Sequence, residues 1–263
     1  VEAQAVKPRA LTIAGSDPTG GAGIQQDLKT FDALDVWGLS AVTAVTVQDT
    51  TGVREWEPVP ASVARGQIDV VMADIGCDAA KTGMLGTTEV VDAVARAAVD
   101  HLIEPLVIDP VLAAGAGGSL ERGDLAAAIR ELLLPRAALI TPNTLEAAAL
   151  TRLEISTLDE QKEAAVALAA AGPGAVLVTG GHLEGTHVTD VLFVEGELHE
   201  ISSPRIDVDV HGTGCALSAA ITGLLAKGET VESAVRRAHS LIADAIARAL
   251  MLGKGAKVLE VRA

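Results

Sequence analysis

The chain has 263 residues, is 49% hydrophobic, and carries a formal charge of −15 with only 2% aromatic residues and no tyrosine. That balance excludes a nucleic-acid binder, which needs a basic surface for phosphates and aromatic faces for unstacked bases. Two cysteines, Cys77 and Cys215, are too few for a disulfide framework and lack metal-ligand spacing, so a reducing, cytoplasmic setting is expected.

Residues 1–9 lack an apolar signal core and are expected to be a flexible lead-in, and no run of about 18 uncharged apolar residues suggests a membrane span. In chain order, residues 10–14 read as a strand, followed by a Gly-rich turn and a helix over 23–34. A strongly β-branched strand covers 39–47, and a shorter one at 53–59 is expected outside the main sheet. Pro60 opens a helix. The apolar runs 106–108 and 137–140 end in Asp109-Pro110 and Thr141-Pro142, and 175–179 ends in Gly180-Gly181, which is the pattern of buried parallel strands with polar C-terminal ends. Residues 188–194 and 198–201 flank Glu195-Gly196-Glu197 as a hairpin. Helices over 213–226 and 231–252 complete the chain, which reads as a single α/β domain, 1–263, around a mostly parallel sheet.

In such sheets ligands lie outside the carboxyl ends of the strands, so residues just past each strand carry the chemistry. Gly15-Ser16-Asp17-Pro18-Thr19-Gly20-Gly21-Ala22-Gly23 is a turn whose backbone can approach a ligand closely, although it has neither Walker A nor G-x-G-x-x-G spacing. Asp27, one helical turn on, either meets a polar ligand edge or is a solvated helix residue. His211-Gly212-Thr213-Gly214-Cys215 opens an apolar helix, so its free N–H groups form an anion hole. Cys215 at that terminus is expected to have a lowered pKa and to accept a hydroxyl proton; the alternative is a small buried cysteine. His211 reads better as structural. Asn143 is a helix N-cap, and Glu146 either completes a capping box or helps hold Mg²⁺. Asp109 is either structural or oriented toward a metal-bound water, and Met84 either lines a ring pocket or is ordinary core.

Five stretches occur together in order: Ala10–Asp17, Gly20–Phe31, Lys81–Leu85, Ile140–Asn143 and His211–Ala220. Together they resemble the hydroxymethylpyrimidine and phosphomethylpyrimidine kinases of the ribokinase-like superfamily. The resemblance implies a three-layer α/β/α fold with a small lid of short strands at 53–59, a homodimer, and ATP with Mg²⁺. It also implies two successive phosphorylations of 4-amino-5-hydroxymethyl-2-methylpyrimidine in thiamine biosynthesis. On this basis Cys215 is the catalytic base, with Gly212, Thr213 and Gly214 in the anion hole. Gly15, Asp27, Gln48, Met84 and Val111 line the pyrimidine pocket. Asp109, Asn143, Thr179 and Gly181 meet the nucleotide, and Asp109 and Glu146 hold the metal. The chain departs from the pattern at Gly115 and Thr179, where lysines are expected, which should weaken the step with an anionic acceptor. Two further readings stand beside this one: a pyridoxine or pyridoxal kinase, and a non-catalytic vitamin-binding or regulatory protein on the same fold.

Overall fold

The structure, a computed structural model, describes residues 7–113, 120 and 122–262. The expectation for the first six residues and the departure at Gly115 lie outside them. Among the described residues, nine strands form one sheet in the order β3-β2-β1-β4-β5-β6-β7-β8-β9. They are β1 (Arg9–Ser16), β2 (Trp37–Asp49), β3 (Gly52–Pro58), β4 (Ala79–Thr82), β5 (Leu106–Ile108), β6 (Leu139–Ile140), β7 (Ala175–Val178), β8 (His187–Val194) and β9 (Glu197–Pro204). The run from β2 through β1 and β4 to β7 is parallel, whereas β3, β8 and β9 join antiparallel at the edges.

The alternation of strand side chains divides the core in two. Leu11, Ile13, Ala80, Leu106, Ile108, Val176 and Val178 face one layer, and Ala10, Ala79, Val107, Leu139, Ala175 and Leu177 face the other. The first layer holds α2 (Ala61–Asp74), α3 (Thr88–Asp100), α4 (Leu125–Ala128) with the helical turns that follow it, α5 (Thr144–Thr151) and α6 (Leu158–Ala169). The second holds α1 (Gly23–Ala33), α7 (Thr213–Ala226) and α8 (Val231–Ala247). α3 shows why such segments fold as they do. Thr87 caps it by accepting from the Val90 N–H, and Val90, Val91, Val94, Ala95 and Ala98 recur on one buried face. The three-layer α/β/α expectation is met.

Three details differ from the sequence reading. β3 is not separate from the main sheet: β2 is long enough to pair with β1 through residues 37–45 and with β3 through residues 44–49, so the lid is an extension of the sheet edge. Pro60 is the N-cap of α2 rather than its first residue. α8 ends at Ala247 because the chain turns back, with Leu250 bridging Val258 and the Ala256 N–H donating to the Thr50 carbonyl. That return forms β11 (Lys257–Val258) beside β10 (Val210–His211), a small second sheet with no sequence signal of its own.

Because β2 lies on one side of β1 and β4 on the other, the chain reverses its winding direction between β1 and β4. The resulting crevice lies at the carboxyl ends of these strands. Among the described residues, no helix is long and apolar enough to cross a membrane.

Candidate active site

Two glycine-rich turns meet over this crevice. Asp17 organises the first: its carboxylate accepts from the Thr19 N–H (2.8 Å), the Ala22 N–H (2.8 Å) and Thr19 Oγ1 (2.9 Å). Burial alone would raise this acid, but hydrogen bonds from His211 and Thr19 outweigh it and hold Asp17 below the usual range. The second turn locks onto the first at Gly212, whose φ of +83° and lack of a side chain are both required. A Cβ there would stand 1.8 Å from the Gly21 carbonyl oxygen. His211 joins them, with Nε2 3.3 Å from Asp17 Oδ2 and 2.7 Å from the Gln48 amide nitrogen. The structural expectation for His211 fits that placement.

Among the described residues, no side chain caps α7, and its first intrahelical bond is from the Ala216 N–H to the Gly212 carbonyl. The N–H groups of Thr213, Gly214 and Cys215 therefore have no intrahelical acceptor, and Gly214 is exposed. The expected lowering of the Cys215 pKa is corrected. Burial pushes its thiol up to about 12, against the pull of Lys81 and the Gly23 N–H, while Asp109 and Asp27 push it further. Loss of solvent outweighs the helix terminus, so Cys215 rests as a thiol.

Beneath Cys215 lies a buried polar group. Lys81 and Asp27 have fully buried side chains paired at 2.9 Å, and Thr12 Oγ1 donates to Asp27 at 2.6 Å. The expectation that Asp27 meets the pyrimidine is corrected, because its two oxygens are taken by Lys81 and Thr12 below the crevice floor. Lys81 reaches toward Asp109 as well, at 3.8 Å, and Ser218 Oγ donates to Asp109 at 2.8 Å. Burial would lower the Lys81 ammonium, but the Asp27 carboxylate, helped by Asp109, outweighs it and raises it.

Gly15, Met84 and Val111 do come together. A Cβ on Gly15 would lie 3.1 Å from Met84 Sδ, and Met84 packs with Ala44, Leu120, Val53, Trp56 and Val111. Gln48 stands apart from that group, on the lid side against His211. Trp56 was not foreseen, although a tryptophan is a rare residue in this sequence. It covers Gly86 and receives the Arg122 guanidinium 4.7 Å from its ring centroid.

The remaining expected residues follow β5, β6 and β7. Asn143 caps α5 by accepting from the Leu145 and Glu146 N–H groups, and Glu146 Oε2 accepts from the Asn143 N–H at 2.9 Å. The capping-box alternative is thus present. Burial and the nearby Asp109 also push Glu146 up to about 8, so two acids share a desolvated position in which Lys81 lies toward Asp109. This pair suits Mg²⁺, which takes one or two carboxylates and completes its shell with phosphate and water. Among the described residues, no group of three or more metal-ligating side chains occurs. Thr179 bridges to Asn143, with its N–H on the Pro142 carbonyl, and Gly181 receives Arg205 Nη1 on its carbonyl at 3.0 Å.

A two-faced parallel sheet with an uncapped helix terminus and paired acids at its strand ends defines a ribokinase-like kinase. The family described as phosphomethylpyrimidine kinase matches residues 17–260, and the chain belongs to it. The chain is 44% identical to the hydroxymethylpyrimidine/phosphomethylpyrimidine kinase of Bacillus subtilis (strain 168), over 94% of this chain and 92% of that protein. The Bacillus subtilis pyridoxal kinase solved as an ADP complex superposes with a TM-score of 0.90 at 36% identity, covering 97% and 98% of the two chains. The phosphomethylpyrimidine kinase from Clostridium difficile 630 gives a TM-score of 0.81 at 36% identity, covering 91% of this chain and all of that one.

Proposed function

We propose that this protein transfers the γ-phosphoryl group of ATP to the hydroxymethyl oxygen of 4-amino-5-hydroxymethyl-2-methylpyrimidine, and then phosphorylates the monophosphate. The observation that carries this reading is the uncapped α7 terminus, joined to Asp109 through Ser218, with the Met84–Val111 apolar group and the Asp109–Glu146 pair past the ends of neighbouring strands. An aromatic ring fits the apolar group, a cation-bound polyphosphate fits the acid pair, and the phosphoryl group in flight fits the N–H groups of the helix terminus.

Mg²⁺ held through Asp109 and Glu146 would neutralise phosphate charge when bound. Asn143, Thr179 and Gly181 are assigned to the nucleotide. Gly15, Met84 and Val111 bind the pyrimidine ring, with Gln48 at the lid side. Gly212, Thr213 and Gly214 direct N–H groups at the transferring oxygens. Cys215 acts as the base in its thiolate form, reached by loss of the thiol proton to solvent, and takes the hydroxyl proton late, since a loose transition state demands little base assistance. Lys81 and the Gly23 N–H favour that thiolate against the burial that makes the thiol the resting form. Replacing Cys215 with Ala is expected to lower kcat by about 10²–10⁴-fold with folding intact; near-normal turnover would remove it from the mechanism.

The second reading, a pyridoxal kinase, is favoured by the TM-score of 0.90 to the Bacillus subtilis pyridoxal kinase. It differs only in the ring. Competition between the two alcohols in one reaction separates the readings, because the ratio of products gives the ratio of kcat/KM directly. Excess phosphopyridoxine or phosphopyridoxal would favour the second. We also assign a homodimer, supported by Val45 and Val47, each 54% exposed on the β2 arm; sedimentation at micromolar concentration tests it.

A further inference from the structure

Lys81 is an unusual tenant of a parallel strand. β4 is four residues long and buried throughout, and Lys81 pairs with Thr12 on β1 and Val107 on β5 in the centre of the sheet. Burying an ammonium there costs much more than burying a hydrocarbon. Well-packed apolar replacements for buried ion pairs are often as stable or more so, so stability alone does not call for this pair. What distinguishes the position is what it touches. Asp27 comes from α1 and Ser218 from α7, the two helices whose N-termini carry the glycine-rich turns, while Asp109 comes from the end of β5. Lys81 Nζ and Ser218 Oγ both approach Asp109 at Oδ2, and among the described residues no hydrogen bond is made to Oδ1.

We propose that Lys81 is a positioning residue for phosphoryl transfer: anchored by Asp27, it holds the Asp109 carboxylate with Oδ1 toward the nucleotide and places a fixed positive charge under the α7 terminus. The role rests on the functional reading above. Asp27 is then the counter-ion that keeps the ammonium in place, which accounts for its burial away from the substrate. The arrangement is preorganised, since strand, helix and carboxylate are fixed before any ligand arrives.

The test compares wild type, Lys81→Met, Asp27→Asn and the neutral double variant Lys81→Met/Asp27→Asn. The double variant removes both buried charges together, so it is expected to melt within a few degrees of wild type. It should nevertheless lose about 100-fold in kcat, with the KM for the pyrimidine alcohol changed less than threefold, and should bind MgATP about tenfold more weakly by calorimetry. A double variant with wild-type kcat and MgATP affinity would show that the pair is only a structural counter-charge, and would overturn the proposal. Ser218→Ala supplies an independent check that buries no charge. It should weaken MgATP binding several-fold, and wild-type values for kcat, both KM values and MgATP affinity would overturn the proposal as well, whether or not the double variant folds. If wild type itself makes no phosphorylated pyrimidine, the functional reading fails instead, and the calorimetric comparison still decides whether Lys81 governs nucleotide binding.

Discussion

Replacing Gly212 with Ala perturbs the site without altering any charge. The residue has φ +83°, where an alanine costs about 1–2 kcal/mol through its Cβ. The larger effect is collision: the new Cβ would stand 1.8 Å from the Gly21 carbonyl oxygen and 2.9 Å from its carbon, both backbone atoms with no rotamer to relieve them. Ordinary contact begins at 3.4 Å, so the two turns must separate by 3.4 − 1.8, or about 1.6 Å. Donors displaced by about 1 Å cost about 100-fold in rate, equivalent to about 2.7 kcal/mol. Steady-state kinetics with saturating ATP should therefore show kcat reduced at least about 100-fold, and urea unfolding should show a loss of at least about 1–2 kcal/mol. A Gly212→Ala protein with kcat within threefold of wild type would refute the claim that these N–H groups stabilise the transferring phosphoryl group.

Gly15→Ala places a methyl 3.1 Å from Met84 Sδ, a flexible neighbour that can yield, so folding should survive while the KM for the alcohol rises about tenfold from the narrowed pocket. Glu146 is pushed up to about 8 by burial and Asp109. The folded protein therefore holds a proton that the unfolded chain has already lost above its own pKa near 4.5, and stability falls as pH rises between those values. Glu146→Gln removes that loss, so melting without nucleotide or Mg²⁺ should show a gain on the order of 2–4 kcal/mol at pH 9 and little at pH 4. A Cβ at Gly66 in α2 would meet none of the described atoms within 4 Å, and Gly66→Ala should add about 0.5–1 kcal/mol in urea unfolding with kcat unchanged.

The sheet was readable because its strands are short apolar runs punctuated by Asp109-Pro110, Thr141-Pro142 and Gly180-Gly181, and β5 lies at 106–108 as expected. α7 was equally clear, starting at Thr213 behind a glycine. β4 was not assigned as a strand, because a lysine inside Ala79–Thr82 contradicts the apolar pattern of a buried strand; its charge is matched by Asp27, 54 residues away in sequence. Local spacing contains no trace of such a pairing. The same distance misled the reading of Asp27 itself, since position on a helix does not tell which layer it faces. The pKa of Cys215 was illegible for a different reason. Its place at a helix terminus is legible, but the burial that sets its pKa is a property of the packed whole. β10 and β11 are two residues each and exist only because the chain end returns to Asp209 and Leu250, so no periodicity could reveal them.

The central claim is tested most directly by incubating the wild-type protein with ATP, Mg²⁺ and 4-amino-5-hydroxymethyl-2-methylpyrimidine and resolving the products by mass. The account predicts the monophosphate first and the diphosphate after it, each with one ADP released per phosphoryl group transferred. ADP formation without any phosphorylated pyrimidine, or product from pyridoxal alone in a parallel reaction, would contradict it.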